Sequence, residues 1–239
     1  MDGVARCTRY AFGPNRLHMC GPDMNREVLA YLTAGATDQG LTDILRNFKT
    51  LYPYLQEIAW ANQIKDPFDR RVVEAYWIGN ELLENISPKK FYNYLVEDLQ
   101  IKKRFSSKDF ERLQYKLIEG AKMHHAFHVF NVWKDSGQTD LAGFDQCRVS
   151  WGQVTKVDGP IIKVLRRPLV LLGGKFTLDS AVPVDVARQL EGSSILDETK
   201  VGDAISIHWG VPCEVLTAPQ VANLEKYTNL SIDLANRTL

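Results

Sequence analysis

The chain has 239 residues, with 29 basic and 29 acidic side chains, a formal net charge of zero and 45% apolar residues. That is enough apolar material for one large core or two modest ones. Balanced charge without blocks of like sign argues against sequence-independent nucleic-acid binding, which draws on clustered Lys and Arg.

The longest aliphatic run, near Leu169–Leu172, is far short of the ~20 residues that cross a bilayer. The first residues hold Arg6, Arg9 and Arg16 but lack the apolar stretch of a secretory signal. A cytoplasmic protein without a membrane partner is therefore expected. Cysteines at 7, 20, 147 and 213 show no CxxC spacing and are too sparse for a disulfide scaffold. In a reducing compartment each is an apolar filler, a ligand or a nucleophile.

In chain order, Gly13-Pro14-Asn15 and Cys20-Gly21-Pro22 read as turns that lay the N-terminal segment across a helical bundle. Met24 to Gly35 is apolar at helical spacing, and Gly35 is its stop. A second helical pattern covers about 39–64 with a kink or break at Pro53. Asp66-Pro67-Phe68-Asp69 supplies an N-cap and a first-turn proline. Ser87-Pro88 repeats that signal, and Ser106-Ser107-Lys108-Asp109 opens the longest predicted helix, reaching about Trp133.

A polar run at 135–140 reads as a linker. Beyond it the pattern changes to β-branched alternation, with hairpin signals at Asp158-Gly159 and Gly173-Gly174. Further strands are expected over 204–209 and 214–216. Thr217-Ala218-Pro219-Gln220 caps a final helix. The expected fold is α+β: an N-terminal helical bundle (1–138), then a small OB-like β-barrel with a C-terminal helix (139–239).

Two signatures carry the functional reading. Cys147 opens Cys147-Arg148-Val149-Ser150-Trp151-Gly152, with Val154 and Val157 continuing a strand. Val201-Gly202-Asp203 then leads into an alternating strand that ends His208-Trp209-Gly210. In this order, over residues 147–236, they resemble the HypC/HupF-type [NiFe]-hydrogenase assembly chaperones. The resemblance implies Cys147 as an iron ligand, with His208 as its electrostatic or coordinating neighbour. It also implies an iron fragment carrying cyanide or carbonyl, with the hydrogenase large-subunit precursor and a HypD-type scaffold protein as partners. Gly152 and Gly210 would let backbones approach closely. The family's cysteine is terminal, whereas Cys147 is internal. No turnover is implied, so an accessory protein rather than an enzyme is expected, working through an exposed thiolate at a barrel rim.

Met123-His124-His125-Ala126-Phe127-His128 places three of the five histidines together. His124 and His128, one turn apart, can ligate a metal from one helix face, or pack as hydrogen-bonded core residues. If that helix folds back over the barrel, its end faces Cys147. A site of helix histidines with Cys147, in an enzyme or sensor, is the alternative function. A non-catalytic interaction module, with Cys147 and His208 as ordinary strand residues, is a third. Cys7, His18 and Cys20 form at most a partial ligand set, and no GxSxG, Walker, GxGxxG or HExxH motif is present.

Overall fold

The computed structural model describes residues 1–133, 140–190, 193–194 and 196–239. Its helices are α1 (Gly3–Arg16), α2 (Asn25–Ala34), α3 (Gln39–Arg46), α4 (Leu51–Ala61), α5 (Arg70–Trp77), α6 (Pro88–Glu97), α7 (Ser107–Ile118), α8 (His125–Phe127), α9 (Leu141–Cys147) and α10 (Ala218–Asn236). Capping chemistry sets most of these boundaries. Gly35 ends α2 in the left-handed region, Ser87 caps α6, Ser106 caps α7, and Thr217 with Gln220 forms the capping box of α10.

Several helical expectations are corrected. The 39–64 pattern is two helices, and Pro53 sits in the first turn of α4, where a missing N–H leaves no bond unmade. Asp69, not Asp66, caps α5. The long helix expected to reach Trp133 stops at Ile118, because Gly120 takes φ +99°. The chain restarts at α8 and continues as a π-helical turn, His128–Val132. Gly3–Arg16, whose Gly-Pro-Asn reads as a turn, forms α1. Asp2 caps it, and its last turn tolerates Pro14.

The strands are β1 (Ser150–Asp158), β2 (Ile161–Arg166), β3 (Leu169–Leu172), β4 (Lys175–Leu178), β5 (Val182–Ala187), β6 (Gln189–Leu190), β7 (Ser193–Ser194), β8 (Ala204–His208) and β9 (Val211–Leu216). Five of them form one antiparallel sheet in the order β5-β2-β1-β8-β9. The hairpins at Asp158-Gly159 and Gly173-Gly174 fall where the turn residues place them. No hydrogen-bonded pairing joins β5 to β9 among the described residues, so the antiparallel sheet is present but the closure of the expected OB-like barrel is not. Cys147 does not open a strand; it is the last residue of α9. The expected linker falls almost wholly outside the described residues, apart from Asp140, the N-cap of α9.

Alternation along β2 buries Ile162, Val164 and Arg166 on one face. Sheet residues such as Val154, Ile162, Ile205 and Cys213 share one continuous core with Tyr10 and Phe12 of α1 and Tyr54 of α4. Helix α1 is thus the element on which the N-terminal helices and the sheet meet. Polar groups seal that contact. Arg6 bridges Glu74 (2.6 Å) and Glu214 (2.9 Å), while the Tyr10 hydroxyl donates to Glu214 (2.7 Å). A second core packs Val129, Phe130, Phe144, Phe176 and Ile232, tying the π-helical turn and α9 to the β3–β4 hairpin and α10. Among the described residues no helix is long and apolar enough to cross a membrane.

Candidate metal centre

Three side chains from distant parts of the chain converge at the junction of the two cores. His125 is the first residue of α8, Cys147 the last of α9, and His208 the last of β8. One ring nitrogen from each histidine and the Cys147 Sγ all lie within 4.8 Å of one another. The two imidazoles are nearly perpendicular, with centroids 5.0 Å apart.

Local structure accounts for each placement. His124 has extended backbone and caps α8, its Nδ1 accepting the Ala126 N–H at 3.1 Å, so the next residue, His125, is the one that turns inward. The indole of Trp77 packs against the His125 ring at 4.5 Å, and Tyr10 in turn stacks on Trp77 at 5.2 Å. Asp145 fixes the end of α9. It accepts from Arg148 Nε at 3.0 Å and from the Leu169 N–H at 2.9 Å, and it pairs with Arg166. The Trp209 backbone N–H donates to the Gln146 carbonyl at 3.0 Å, which draws the β8–β9 turn against Cys147.

His208 is held by an arrangement that its own neighbours in sequence do not reveal. Pro14 has no N–H, so the Tyr10 carbonyl four residues earlier loses its helical donor. His208 Nδ1 takes that place, donating to the Tyr10 carbonyl at 2.6 Å. Gly13 permits the approach, since a Cβ there would sit 2.5 Å from the His208 carbonyl oxygen. With the proton fixed on Nδ1, Nε2 presents a lone pair, and it is buried without a hydrogen-bond partner. A carbonyl that orients an imidazole through its second nitrogen is the usual outer support of a histidine metal ligand.

The Gly13-Pro14 pair, read from sequence as a turn, is thus part of the site. Pro14→Ala returns a donor to the Tyr10 carbonyl and frees the His208 tautomer. It should leave thermal stability unchanged or raised, yet weaken zinc binding by about tenfold in a chelator competition.

The electrostatics suit a neutral, enclosed ligand set. Burial pushes the His208 pKa down to about 4, against the opposing effect of backbone groups of Tyr10 and Cys147. Burial, and then the neighbouring His208, hold His125 well below the ordinary range. The Cys147 thiol is pushed up by burial, with Cys20 adding to the effect and the Trp209 indole N–H opposing it. The exposed, readily ionised thiolate expected at a barrel rim is therefore not what the fold provides: Cys147 is half-buried and lines a cavity. This cavity has a volume of about 130 Å³, and its walls include Tyr76, Trp77, Trp209 and Cys20.

Buried polar atoms around the triad that lack partners include His125 Nδ1, His208 Nε2 and the indole nitrogens of Trp77 and Trp209. Unsatisfied buried groups of this kind are costly. A cation between the imidazoles would satisfy ring lone pairs, and a thiolate at Cys147 would give the Trp209 indole N–H its acceptor. Two imidazoles and one thiolate suit zinc or iron, and three protein ligands leave a coordination position open. The donor set fits a metal ion.

The other expected ligands lie elsewhere. His124 stacks on Tyr227 at 5.4 Å, on the side of α10. His128 borders the cavity, with its Nδ1 3.3 Å from the Tyr54 hydroxyl, but it is not among the donors that converge within 4.8 Å. The HxxxH spacing fails because the helix it assumes is broken, and His125 occupies the inward position instead. Cys7, His18 and Cys20 are not brought together among the described residues: Cys7 is buried in α1, and His18 pairs with Asp23 at 3.1 Å. Gly152 does allow a close approach, a Cβ there lying 2.5 Å from the Leu165 carbonyl oxygen. Gly210 instead serves the β8–β9 turn through its φ of +73°, with open space around it.

No curated protein and no solved structure matches the chain. Residues 1–239 match the model of a family of unknown function, DUF6390, and the protein belongs to that family.

Proposed function

We propose that this protein is a metal-handling accessory factor whose His125–Cys147–His208 set holds an iron or zinc ion. The observation that carries the reading is the convergence of three donors within 4.8 Å, two of them buried imidazoles with orphaned ring nitrogens. The resemblance of residues 147–236 to HypC/HupF-type chaperones gives the reading its direction. On it, the protein holds or delivers the iron fragment of a [NiFe]-hydrogenase, with the large-subunit precursor and a HypD-type scaffold as partners, and has no turnover of its own. The three-ligand set makes a closed holding site a better description than an exposed carrier thiol, since Cys147 is backed by two ligands from its own chain.

The open coordination position and aromatic walls also favour a second reading, an enzyme or sensor with a resident zinc or iron ion. Anaerobic purification with metal analysis and infrared spectroscopy separates the two. Cyanide or carbonyl stretches that vanish in Cys147→Ala support the carrier. Stoichiometric metal without such bands supports the second reading. Protein that takes up neither iron nor zinc sinks both.

A further inference from the structure

The segment after α1, residues 17–24, contributes Met19 and Cys20 to the wall of the metal cavity, and its conformation is set from several sides. Asn15, itself 1% exposed, donates from Nδ2 to the carbonyls of Cys20 (3.1 Å) and Pro22 (2.7 Å). His18 and Gly21 both take positive φ, +55° and +89°, and Gly21 is seated against the Phe48 ring, which a Cβ would strike at 2.2 Å. A non-glycine residue in the left-handed region is uncommon and costs energy unless its surroundings enforce it. What this bracing achieves is the placement of Cys20. Cys20 is exposed as a residue, yet it lines the same cavity as His125, Cys147 and His208. It is near enough to Cys147 and to Tyr76 for their charges to interact, and burial raises its thiol's pKa.

The triad provides three donors, and four complete a tetrahedral set. Among the other donors on the cavity wall, His128 is held in the π-helical turn with its ring edge-on to Tyr54 and lies outside the 4.8 Å group, and Met19 offers only a neutral thioether, a weaker ligand for zinc or iron than a thiolate. Cys20 lies outside the 4.8 Å group, so its side chain has to turn into the cavity from the braced loop to join the triad.

We propose that Cys20 is the fourth ligand of the metal centre, presented from the braced loop at the cavity wall and turned towards the ion once it is bound by His125, Cys147 and His208. Both cysteines lose their protons on coordination, and the ion gains two thiolates and two imidazoles. Because Cys20 arrives from the exposed side, it is also the ligand that a partner or a small molecule would displace, which makes the loop the release point of the site. This inference rests on the metal reading above.

Cobalt(II) titration under anaerobic conditions tests it with wild-type protein and Cys20→Ser. The near-ultraviolet thiolate-to-cobalt charge-transfer band grows with the number of bound thiolates. Wild type should show a two-thiolate intensity and tetrahedral visible bands. Cys20→Ser should still bind one equivalent through the triad, at about half that intensity and with about 100-fold weaker affinity. Equal intensity and equal affinity in the two proteins overturn the role of Cys20 while leaving the triad intact. Wild-type protein that binds no cobalt overturns the triad and the fourth ligand together.

Discussion

Replacing Cys147 by alanine is expected to remove stoichiometric metal while leaving the fold in place. The thiol is the one anionic donor of the triad, and Trp209 is placed to donate to its ionised form. Without it, two buried imidazoles in a largely apolar cavity hold a divalent ion poorly. Loss of an outer-shell partner alone typically costs 10–100-fold in affinity, so loss of the ligand should exceed about 100-fold. The side chain is small and half-buried, and the end of α9 is anchored independently by Asp145. Urea unfolding of the metal-free variant should therefore stay within about 1 kcal/mol of wild type. Zinc or iron content measured after desalting checks the prediction. An unchanged metal content would remove Cys147 from the site.

Mild acid is expected to destabilise the metal-free protein strongly, because its buried histidines are held neutral. His124 is pushed by burial to about 3 and His208 to about 4, while His125 is depressed in the same sense. In the unfolded chain each titrates near 6.5. Below that pH the unfolded state binds protons that the folded state does not, so stability falls as pH drops from about 6.5 towards 4. At pH 5 the loss is on the order of 2 kcal/mol for each of His124 and His208, a large share of a typical folding free energy. Glu84, whose carboxylate is held down to about 2 by the Lys122 ammonium, loses its contribution only at lower pH and does not compensate in this window. The urea midpoint should drop by roughly half between pH 7 and pH 5. Bound zinc should hold the midpoint up at pH 7 and lose that effect as the imidazoles protonate. A midpoint indifferent to pH between 7 and 5 would mean that these histidines are not neutral in the fold.

The parts of this fold legible in sequence are those written in local chemistry. Ser87-Pro88, Ser106 and the Thr217–Gln220 box mark helix starts because capping side chains act within four residues, and Asp158-Gly159 and Gly173-Gly174 mark hairpins for the same reason. Helix α1 was hidden because Gly13-Pro14-Asn15 carries the composition of a turn. Its glycine serves an approach to β8 and its proline a hydrogen bond to His208, both formed across about two hundred residues. Local propensity contains no trace of such partners.

The site was legible in a similar, partial way. Cys147 and His208 stand out by residue type and by motif, and the structure places them together. His125 did not stand out, since its selection depends on where α7 stops and on His124 being spent as a cap. A sequence signal did exist: Gly120 four residues ahead of the histidine run is a helix stop, which undoes the one-turn spacing of His124 and His128. Cys20 could be linked to the site only through the loop that Asn15 braces.

X-ray absorption at the metal edge of anaerobically loaded wild-type protein tests the central claim most directly. Coordination through His125, Cys147 and His208 predicts a sulfur shell near 2.3 Å together with imidazole nitrogen at about 2.0–2.1 Å for zinc. A first shell of oxygen alone, or an ion lost on desalting, would contradict it.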